Sequence, residues 1–221
     1  MKKSILILLI SLFPVVVIAA GPDQERPHWS LEVKGGLFEP DIPNWKEFYG
    51  KSTTSELAGA FAYKITRRVE LGIEGGYAWA SGQGLAPLHS QIAGSPVFAG
   101  HVDYKLYPLS AFILARGVFN EKQVVVPYIG GGWTRMYYEE KTDFQGTIKG
   151  HADGYHGRAG LQFLLDGIDE SATNSFYEDY GVFHTYFFME AEYSRVMAET
   201  VNDGNVNLGG TSWLAGLLFE F

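Results

Sequence analysis

The chain has 221 residues, a length typical of one domain, and it contains no cysteine, which excludes disulfides, thiolate metal sites and a lipid-modified N-terminal cysteine. Its formal charge of −8 argues against nucleic acid as a partner. Aromatic residues make up 15% of the chain and glycine occurs 27 times, and a membrane β-barrel is expected to be rich in both.

Residues 1–20 have the layout of a secretory signal peptide. Lys2 and Lys3 form a short basic region, residues 5–18 are mostly apolar, and Ala19-Ala20 offers a small-residue cleavage site. The apolar run is shorter than the roughly 20 residues that a transmembrane helix needs, so an uncleaved anchor is the weaker alternative. Cleavage after Ala20 would leave a barrel domain over residues 21–221, with a formal charge of −10 because two lysines are removed.

The rest of the chain alternates between apolar and polar residues in segments of about ten residues, the length that a tilted strand needs to cross a bilayer. The predicted strands are 29–38, 56–65, 69–79, 97–107, 127–138, 154–164, 183–196 and 211–221. The connection 66–68 predicts a tight hairpin. An even number of strands is typical of single-chain bacterial barrels. The sequence therefore predicts an all-β fold, an eight-stranded antiparallel up-and-down transmembrane β-barrel.

Alternation alone does not distinguish a membrane barrel from a soluble one, because the soluble barrel buries the apolar face that the membrane barrel turns to lipid. We expect the membrane type, with charged side chains in the lumen: Glu32, Lys34, Glu56, Lys64, Glu70, Glu74, Asp103, Lys105, Arg158, Glu190, Glu192 and Glu220. In the fourth segment Val102, Tyr104 and Leu106 are assigned to the apolar face. The fifth is ambiguous in phase, and we place Ile129, Trp133 and Tyr137 outward, which puts Arg135 on the outer face near a rim.

Aromatic residues fall near the ends of the predicted strands, as two interfacial girdles require. The periplasmic girdle is predicted to hold Trp29, Tyr104, Tyr107, Phe163 and Phe219, and the outer girdle Tyr77, Trp79, Tyr155 and Trp213. The outer loops are predicted at 39–54, 81–95, 139–153 and 197–210. The periplasmic connections 108–123 and 166–181 are longer than such barrels usually have.

The last strand ends on Phe221, after apolar residues at every second position from Trp213. This ending, with the segment Pro127-Tyr128-Ile129-Gly130-Gly131-Gly132, resembles the small outer-membrane β-barrel family typified by the OmpA membrane domain, OmpX and OmpW. The resemblance covers the mature chain as a pattern. It implies an outer-membrane location in a Gram-negative envelope, contact with outer-membrane lipids and recognition of Phe221 by the barrel-assembly machinery. We expect a monomer.

We predict a non-catalytic barrel, either structural or adhesive or a narrow channel for small solutes, because the side chains of an eight-stranded barrel fill its interior. The OmpW resemblance would also suit a lateral route for a small apolar solute. The alternative is a lipid-modifying enzyme similar to the lipid A deacylases, for which His101, His156 and His184 are the candidates. In those enzymes a serine follows the histidine two positions later, where this chain has Asp103, Arg158 and Tyr186.

The last predicted loop holds Asn202, Asp203, Asn205 and Asn207, whose oxygen atoms could bind calcium. The same residue types are common in turns, and we favour the turn. No catalytic residue, cofactor or metal site is predicted.

Overall fold

The structure, a computed structural model, describes residues 27–82, 85–86, 97–98, 100–120, 123–143, 146–199 and 204–221. The predicted signal peptide lies outside these residues. Eight long strands form the barrel wall: β1 (Trp29–Pro40), β2 (Thr54–Thr66), β3 (Val69–Gly82), β6 (Val102–Arg116), β7 (Val125–Thr142), β8 (Gly146–Leu164), β9 (His184–Glu199) and β11 (Gly210–Glu220). The other elements are short: α1 (Trp45–Tyr49), β4 (Leu85–Ala86), β5 (Val97–Phe98), α2 (Glu170–Tyr180) and β10 (Asn205–Asn207).

Each long strand pairs antiparallel with the next long strand along the chain, and β11 pairs with β1 to close the barrel. At the closure Val33 lies opposite Leu217. The Phe221 carbonyl accepts hydrogen bonds from the His28 and Trp29 backbone N–H groups. The predicted fold class, an eight-stranded antiparallel barrel, is confirmed.

The wall is apolar outside and charged inside, which is the arrangement of a membrane barrel. Ile73 and Ile129 face outward and are 65% and 66% exposed, whereas Lys34 and Glu190 face the lumen and are 2% and 4% exposed. The exposed side chains form a continuous band that also includes Leu31, Val33, Leu57, Phe61, Leu71, Leu109, Ile113, Leu161, Phe187, Met189 and Leu217. A soluble barrel would have the reverse arrangement.

The predicted phase of β7 is confirmed. Ile129, Trp133 and Tyr137 are exposed, and Thr134 is buried in the lumen. Gly132 faces inward where β6 passes closely, so a β-carbon at this position would clash with the Ala111 carbonyl oxygen. Only glycine allows the two strands to approach this closely.

The prediction for the fourth barrel strand, β6, was wrong in both phase and length. Val102, Tyr104 and Leu106 are buried in the lumen, and Asp103 and Lys105 lie on the outer face. The strand also continues through Pro108 to Arg116. Pro108 has no N–H to donate, and pairing with β3 lapses beside it, but its pairing with Met136 of β7 holds the strand in place.

Two girdle assignments change with the length of β6. Because the strand runs from the outer rim down to Arg116, Tyr104 and Tyr107 lie near its outer end and not at the periplasm. Tyr107 packs beside Tyr77 in the outer girdle, with 5.2 Å between the ring centroids. Tyr104 is buried inside the barrel. The remaining girdle residues lie near strand ends except Tyr155, which lies in the middle of β8 because that strand begins at Gly146.

Most residues of two predicted connections belong to the barrel strands instead. The predicted outer loop 139–153 is mostly taken up by β7 and β8, which pair from Arg135–Asp153 up to Thr142–Gly146. The predicted periplasmic connection 108–123 begins only at Gly117, and the connection 166–181 contains α2. Among the described residues neither helix is long and apolar enough to cross a membrane.

Candidate functional site in the barrel interior and mouth

The lumen is filled by four layers of inward-facing side chains. Even-numbered residues of every long strand point inward, and together they form a lower charged layer, a lower apolar layer, a central charged layer and an upper apolar layer. The lower apolar layer contains Ala60, Ala62, Phe112, Leu114, Val126, Tyr128, Tyr186, Phe188 and Leu218. The layering follows from local sequence, because a strand exposes alternate residues to one face.

The lower charged layer lies at the periplasmic end and is balanced in charge. Arg116 Nη1 lies 2.9 Å from Glu70 Oε1 and also contacts Glu220, which in turn contacts Lys64. Ser30 Oγ donates to Glu70 Oε2 at 3.2 Å. The Arg116 guanidinium lies over the Tyr186 ring, 5.2 Å from its centroid. This layer joins five strands near the barrel closure, β1, β2, β3, β6 and β11.

The central charged layer is organised around Lys34 and Arg158. Lys34 Nζ lies 2.7 Å from Glu190 Oε1 and 2.8 Å from Glu74 Oε2. Arg158 Nη1 donates to the same Glu74 oxygen at 2.7 Å, and the Tyr128 hydroxyl donates to Glu190 Oε2 at 2.9 Å. Buried charges are tolerated when they are paired in this way.

The central layer has more acidic than basic side chains. Glu32, Glu56 and Glu192 are also predicted lumen residues, and the inward phase of their strands is confirmed. Ser212 Oγ donates to Glu56 Oε2 at 2.6 Å. Arg158 is additionally covered by the Phe112 ring, with 3.7 Å between its guanidinium carbon and the ring centroid. The layer leaves no straight path along the barrel axis, because these side chains meet across the lumen.

A short chain of polar groups lies on the mouth side of the central layer, and sequence reasoning missed one of its members, Ser110. Ser110 Oγ lies 2.9 Å from Thr134 Oγ1, which lies 2.6 Å from His156 Nδ1. Ser110 was overlooked because the fourth strand was expected to end at Tyr107. On a strand predicted to continue to Arg116, the even number of Ser110 would have indicated an inward side chain.

The upper apolar layer fills the extracellular mouth. Its buried residues are Phe38, Trp45, Ala78, Tyr104, Leu106, Met136, Ala152, Val196, Ala198 and Leu208. The one-turn helix α1 contributes Trp45, whose ring packs on Tyr49 at 4.0 Å and edge-on to Tyr104 at 5.3 Å between centroids. Burial raises the pKa of the Tyr49 hydroxyl and of the Glu140 carboxyl at this level. The mouth is therefore closed by packed aromatic side chains.

The outer face of the β7–β8 hairpin above the girdle carries cross-strand polar pairs. Arg135 makes a two-pronged hydrogen bond to Asp153, with both distances at 2.8 Å. Lys149 Nζ lies 2.8 Å from Glu139 Oε2. Arg135 also lies over the Trp133 ring, 5.4 Å from the centroid. The predicted rim position of Arg135 is therefore confirmed.

The three candidate histidines lie in different parts of the barrel and have different hydrogen-bond partners. His101 lies at the outer rim with its Nε2 3.2 Å from Asp103, His156 is in the lumen, and His184 is at the periplasmic end with its Nδ1 2.6 Å from Asp166. Among the described residues no hydrogen bond joins a serine hydroxyl to a histidine ring. Ser194 lies opposite His156 across β8 and β9, but its hydroxyl accepts from the Gly210 N–H at 3.4 Å.

In the described part of the last predicted loop, Asn205 and Asn207 belong to β10, which pairs with the end of β9. Asn207 Oδ1 accepts from the Val196 and Gly209 N–H groups at 2.8 and 3.1 Å, and its Nδ2 donates to Asp41 at 3.0 Å. Asn202 and Asp203 lie outside the described residues. Within the described parts of the chain no three acidic or histidine side chains are arranged to hold a metal ion.

No family model matches the chain, and no curated protein matches it in sequence. Among solved structures it is similar to Neisserial surface protein A, at 12% identity and a TM-score of 0.54 over 90% of this chain and 100% of that one. It is also similar to the outer membrane protein OprG from Pseudomonas aeruginosa, at 14% identity and a TM-score of 0.52 over 90% and 99% of the two chains.

At these identities the likeness shows the fold alone. That the barrel faces lipid follows from the side chains on its wall. Apolar side chains form the outward band, aromatic residues border it, and paired charges fill the inside. The chain therefore has the fold of the small eight-stranded outer-membrane barrels, and the apolar band around it is the surface that such a barrel turns to lipid.

Proposed function

We propose that this protein is a non-catalytic surface barrel with a structural or adhesive role, and not an open pore. The observation that carries the proposal is the filled lumen. Charged side chains meet at its centre, with Lys34 bridging Glu74 and Glu190, and packed apolar side chains lie both above and below them. An ion would have to displace buried, paired charges to pass.

The part of the barrel above the membrane supports a role at the cell surface. From Tyr138 to Thr142, β7 continues beyond the outer girdle as regular strand, paired throughout with β8. Those five residues correspond to roughly 17 Å of strand at about 3.4 Å per residue. The outer face is polar and fixed by cross-strand pairs. It offers a preformed surface to a partner outside the cell.

Planar-bilayer conductance tests the closed lumen. We expect the refolded protein to give no conductance steps, while an established porin reconstituted in the same way does. Trp45→Ala should remain silent, because the central charged layer still blocks the axis after the mouth is loosened. Regular conductance steps from the unaltered protein would overturn the closed barrel.

Shortening the extended hairpin tests the surface role. Replacing residues 138–150 by an Asn-Gly turn would join Tyr137 to His151, which already face each other across the two strands. We expect cells with the short hairpin to display the barrel at normal levels but to lose attachment to matrix-coated surfaces. The matched control is Lys149→Gln, which keeps the hairpin. Unchanged attachment after shortening would remove the adhesive role from this surface.

A route for a small apolar solute is the second candidate, and three observations favour it. The mouth is apolar, the β3–β6 ladder lapses at Tyr107 and Pro108, and an apolar depression of about 490 Å³ lies on the adjoining outer wall. Gly59 and Gly75, which face each other on β2 and β3, leave room in this depression. A solute could pass from the mouth to the membrane without crossing the charged layer.

Substitution at the interrupted ladder tests this route. Pro108→Ala supplies an N–H that can pair with β3, so we expect slower uptake of a short alkane into vesicles that contain the barrel. Pro127→Ala, at the other end of the wall, is the matched control and should leave uptake unchanged. Equal uptake with and without any barrel would exclude the route.

A further inference from the structure

The connection between β8 and β9 holds α2 in a fixed position at the periplasmic rim. Asp166 Oδ2 lies 2.6 Å from His184 Nδ1, and its Oδ1 accepts from the Thr185 N–H at 3.0 Å. Thr173, in the first turn of α2, donates its hydroxyl to the Asp166 carbonyl at 3.1 Å. Asp169 caps the helix by accepting from the Ala172 N–H. The helix is thus anchored to the base of the barrel.

One face of α2 is aromatic and has no cover within the described protein. Phe176, Tyr177 and Tyr180 are 43%, 47% and 70% exposed. At about 100° per residue they fall within an arc of roughly 100°, and Glu178 lies on the opposite side. A helix of 11 residues exposed to water on all sides is marginally stable. The aromatic face therefore needs an apolar partner.

The aromatic face continues the lipid-facing band of the barrel. The Tyr177 ring packs edge-on against Phe183, with 5.1 Å between centroids. Phe183 immediately precedes β9 and shares the parity of its outward residues, among them Phe187 and Met189. Phe187 pairs in turn with Phe163 on β8, at 6.4 Å. The surface that meets lipid on the wall thus leads directly onto the helix.

We propose that α2 lies in the periplasmic surface of the outer membrane, with Phe176, Tyr177 and Tyr180 inserted between the headgroups and acyl chains of the inner-leaflet phospholipids. Aromatic side chains are favoured at this depth because their rings are apolar and tyrosine keeps a hydroxyl for water. The polar side of the helix carries Glu178 and Asp179, so attraction to anionic lipid does not drive the contact. The partner is a zwitterionic phospholipid such as phosphatidylethanolamine.

Site-directed spin labelling tests the proposal, because the chain contains no cysteine and accepts single labels without further changes. Nitroxides at Tyr180→Cys and at Glu178→Cys would be compared in the full barrel refolded into phosphatidylethanolamine-rich vesicles. Oxygen concentrates in the bilayer and a neutral nickel chelate stays in water. We expect the ratio of oxygen to nickel collision rates to be several-fold higher at position 180 than at position 178. Equal ratios would overturn the proposal.

A second label tests whether the aromatic residues cause the insertion. Ala172→Cys lies beside the aromatic arc and keeps all three rings. Its oxygen preference should be lost when Phe176, Tyr177 and Tyr180 are all replaced by serine, while the gel shift between unheated and boiled samples shows that the barrel is still folded. If the preference at 172 persists without the rings, or the nickel chelate reaches 180 freely, α2 faces water or a protein partner and the proposal is wrong.

Discussion

Lys34 and Glu190 form an ion pair at the centre of the barrel, with 2.7 Å between Nζ and Oε1 and both side chains fully buried. They lie 156 positions apart in the sequence. Lys34 also contacts Glu74, so one ammonium group neutralises carboxylates from two other strands. This contact links β1 to β3 and β9 across the lumen.

Removal of Lys34 should therefore destabilise the barrel strongly. We expect Lys34→Met to lower the free energy of unfolding by about 3–5 kcal/mol, because the buried carboxylates of Glu74 and Glu190 then share Arg158 as their one nearby cation. Urea unfolding in lipid vesicles, followed by tryptophan fluorescence, would measure the change. The control is Lys149→Met, which breaks the exposed pair with Glu139 and should have no measurable effect. Similar effects at both positions would show that the central layer does not stabilise the fold.

Charge on the outer wall should be costly only where the wall meets lipid. Ile129 is outward in the middle of the band, and we expect Ile129→Arg to destabilise by about 2–4 kcal/mol. Tyr137 is outward on the same strand but lies opposite Tyr107 at the outer girdle, so Tyr137→Arg should cost much less. The same unfolding measurement in vesicles compares the two. A larger cost at 137 than at 129 would show that the membrane boundary does not lie at the outer girdle.

The pH dependence of stability should change when Glu140 is replaced by glutamine. Burial raises the pKa of Glu140 in the folded barrel, so folding favours its neutral form. Its contribution to stability is present at pH below the unfolded pKa and is lost as the pH rises through the folded pKa. We therefore expect Glu140→Gln to gain stability relative to the unaltered protein between pH 4 and pH 8. A difference that stays constant with pH would show that Glu140 is not desolvated.

Deletion of Phe221 should impair assembly in cells more than it impairs the folded barrel. Its carbonyl accepts from the His28 and Trp29 N–H groups at 2.6 and 3.0 Å, and its N–H donates to the Trp29 carbonyl at 2.9 Å. Losing these bonds at the rim should cost about 1–3 kcal/mol in detergent. Recognition of Phe221 by the assembly machinery remains our prediction from the family resemblance. Normal surface levels of the truncated protein would argue against that recognition.

Much of the wall was predictable because its pattern is local. In β1, for example, Leu31 and Val33 face lipid and Glu32 and Lys34 face the lumen, as their alternation indicates. The same reasoning placed Arg158 and Glu190 inside. A strand exposes successive side chains to opposite faces. Once the outer face is known to meet the bilayer, the alternation within one segment therefore shows which of its side chains face lipid and which face the lumen.

The phase of β6 could not be read in this way, because its inward face is apolar near both ends while its outward face changes from polar to apolar along the strand. Ile113 turns its apolar side chain to lipid, whereas Tyr104 and Leu106 turn theirs to the closed mouth above the membrane, where Asp103 meets water outside. A window containing only residues 97–107 shows alternation but not which medium surrounds it. Only the position of the strand relative to the girdle decides the phase.

By itself the sequence determined the number, order and antiparallel pairing of the strands, because these depend on local alternation and on connections between neighbours. Only the tertiary structure decided which side chains meet across the lumen. Lys34 with Glu190, and Ser110 with Thr134 and His156, are joined by the stagger of strands around the closed barrel. That stagger is set by closure of the whole sheet, and no single segment of the sequence contains it.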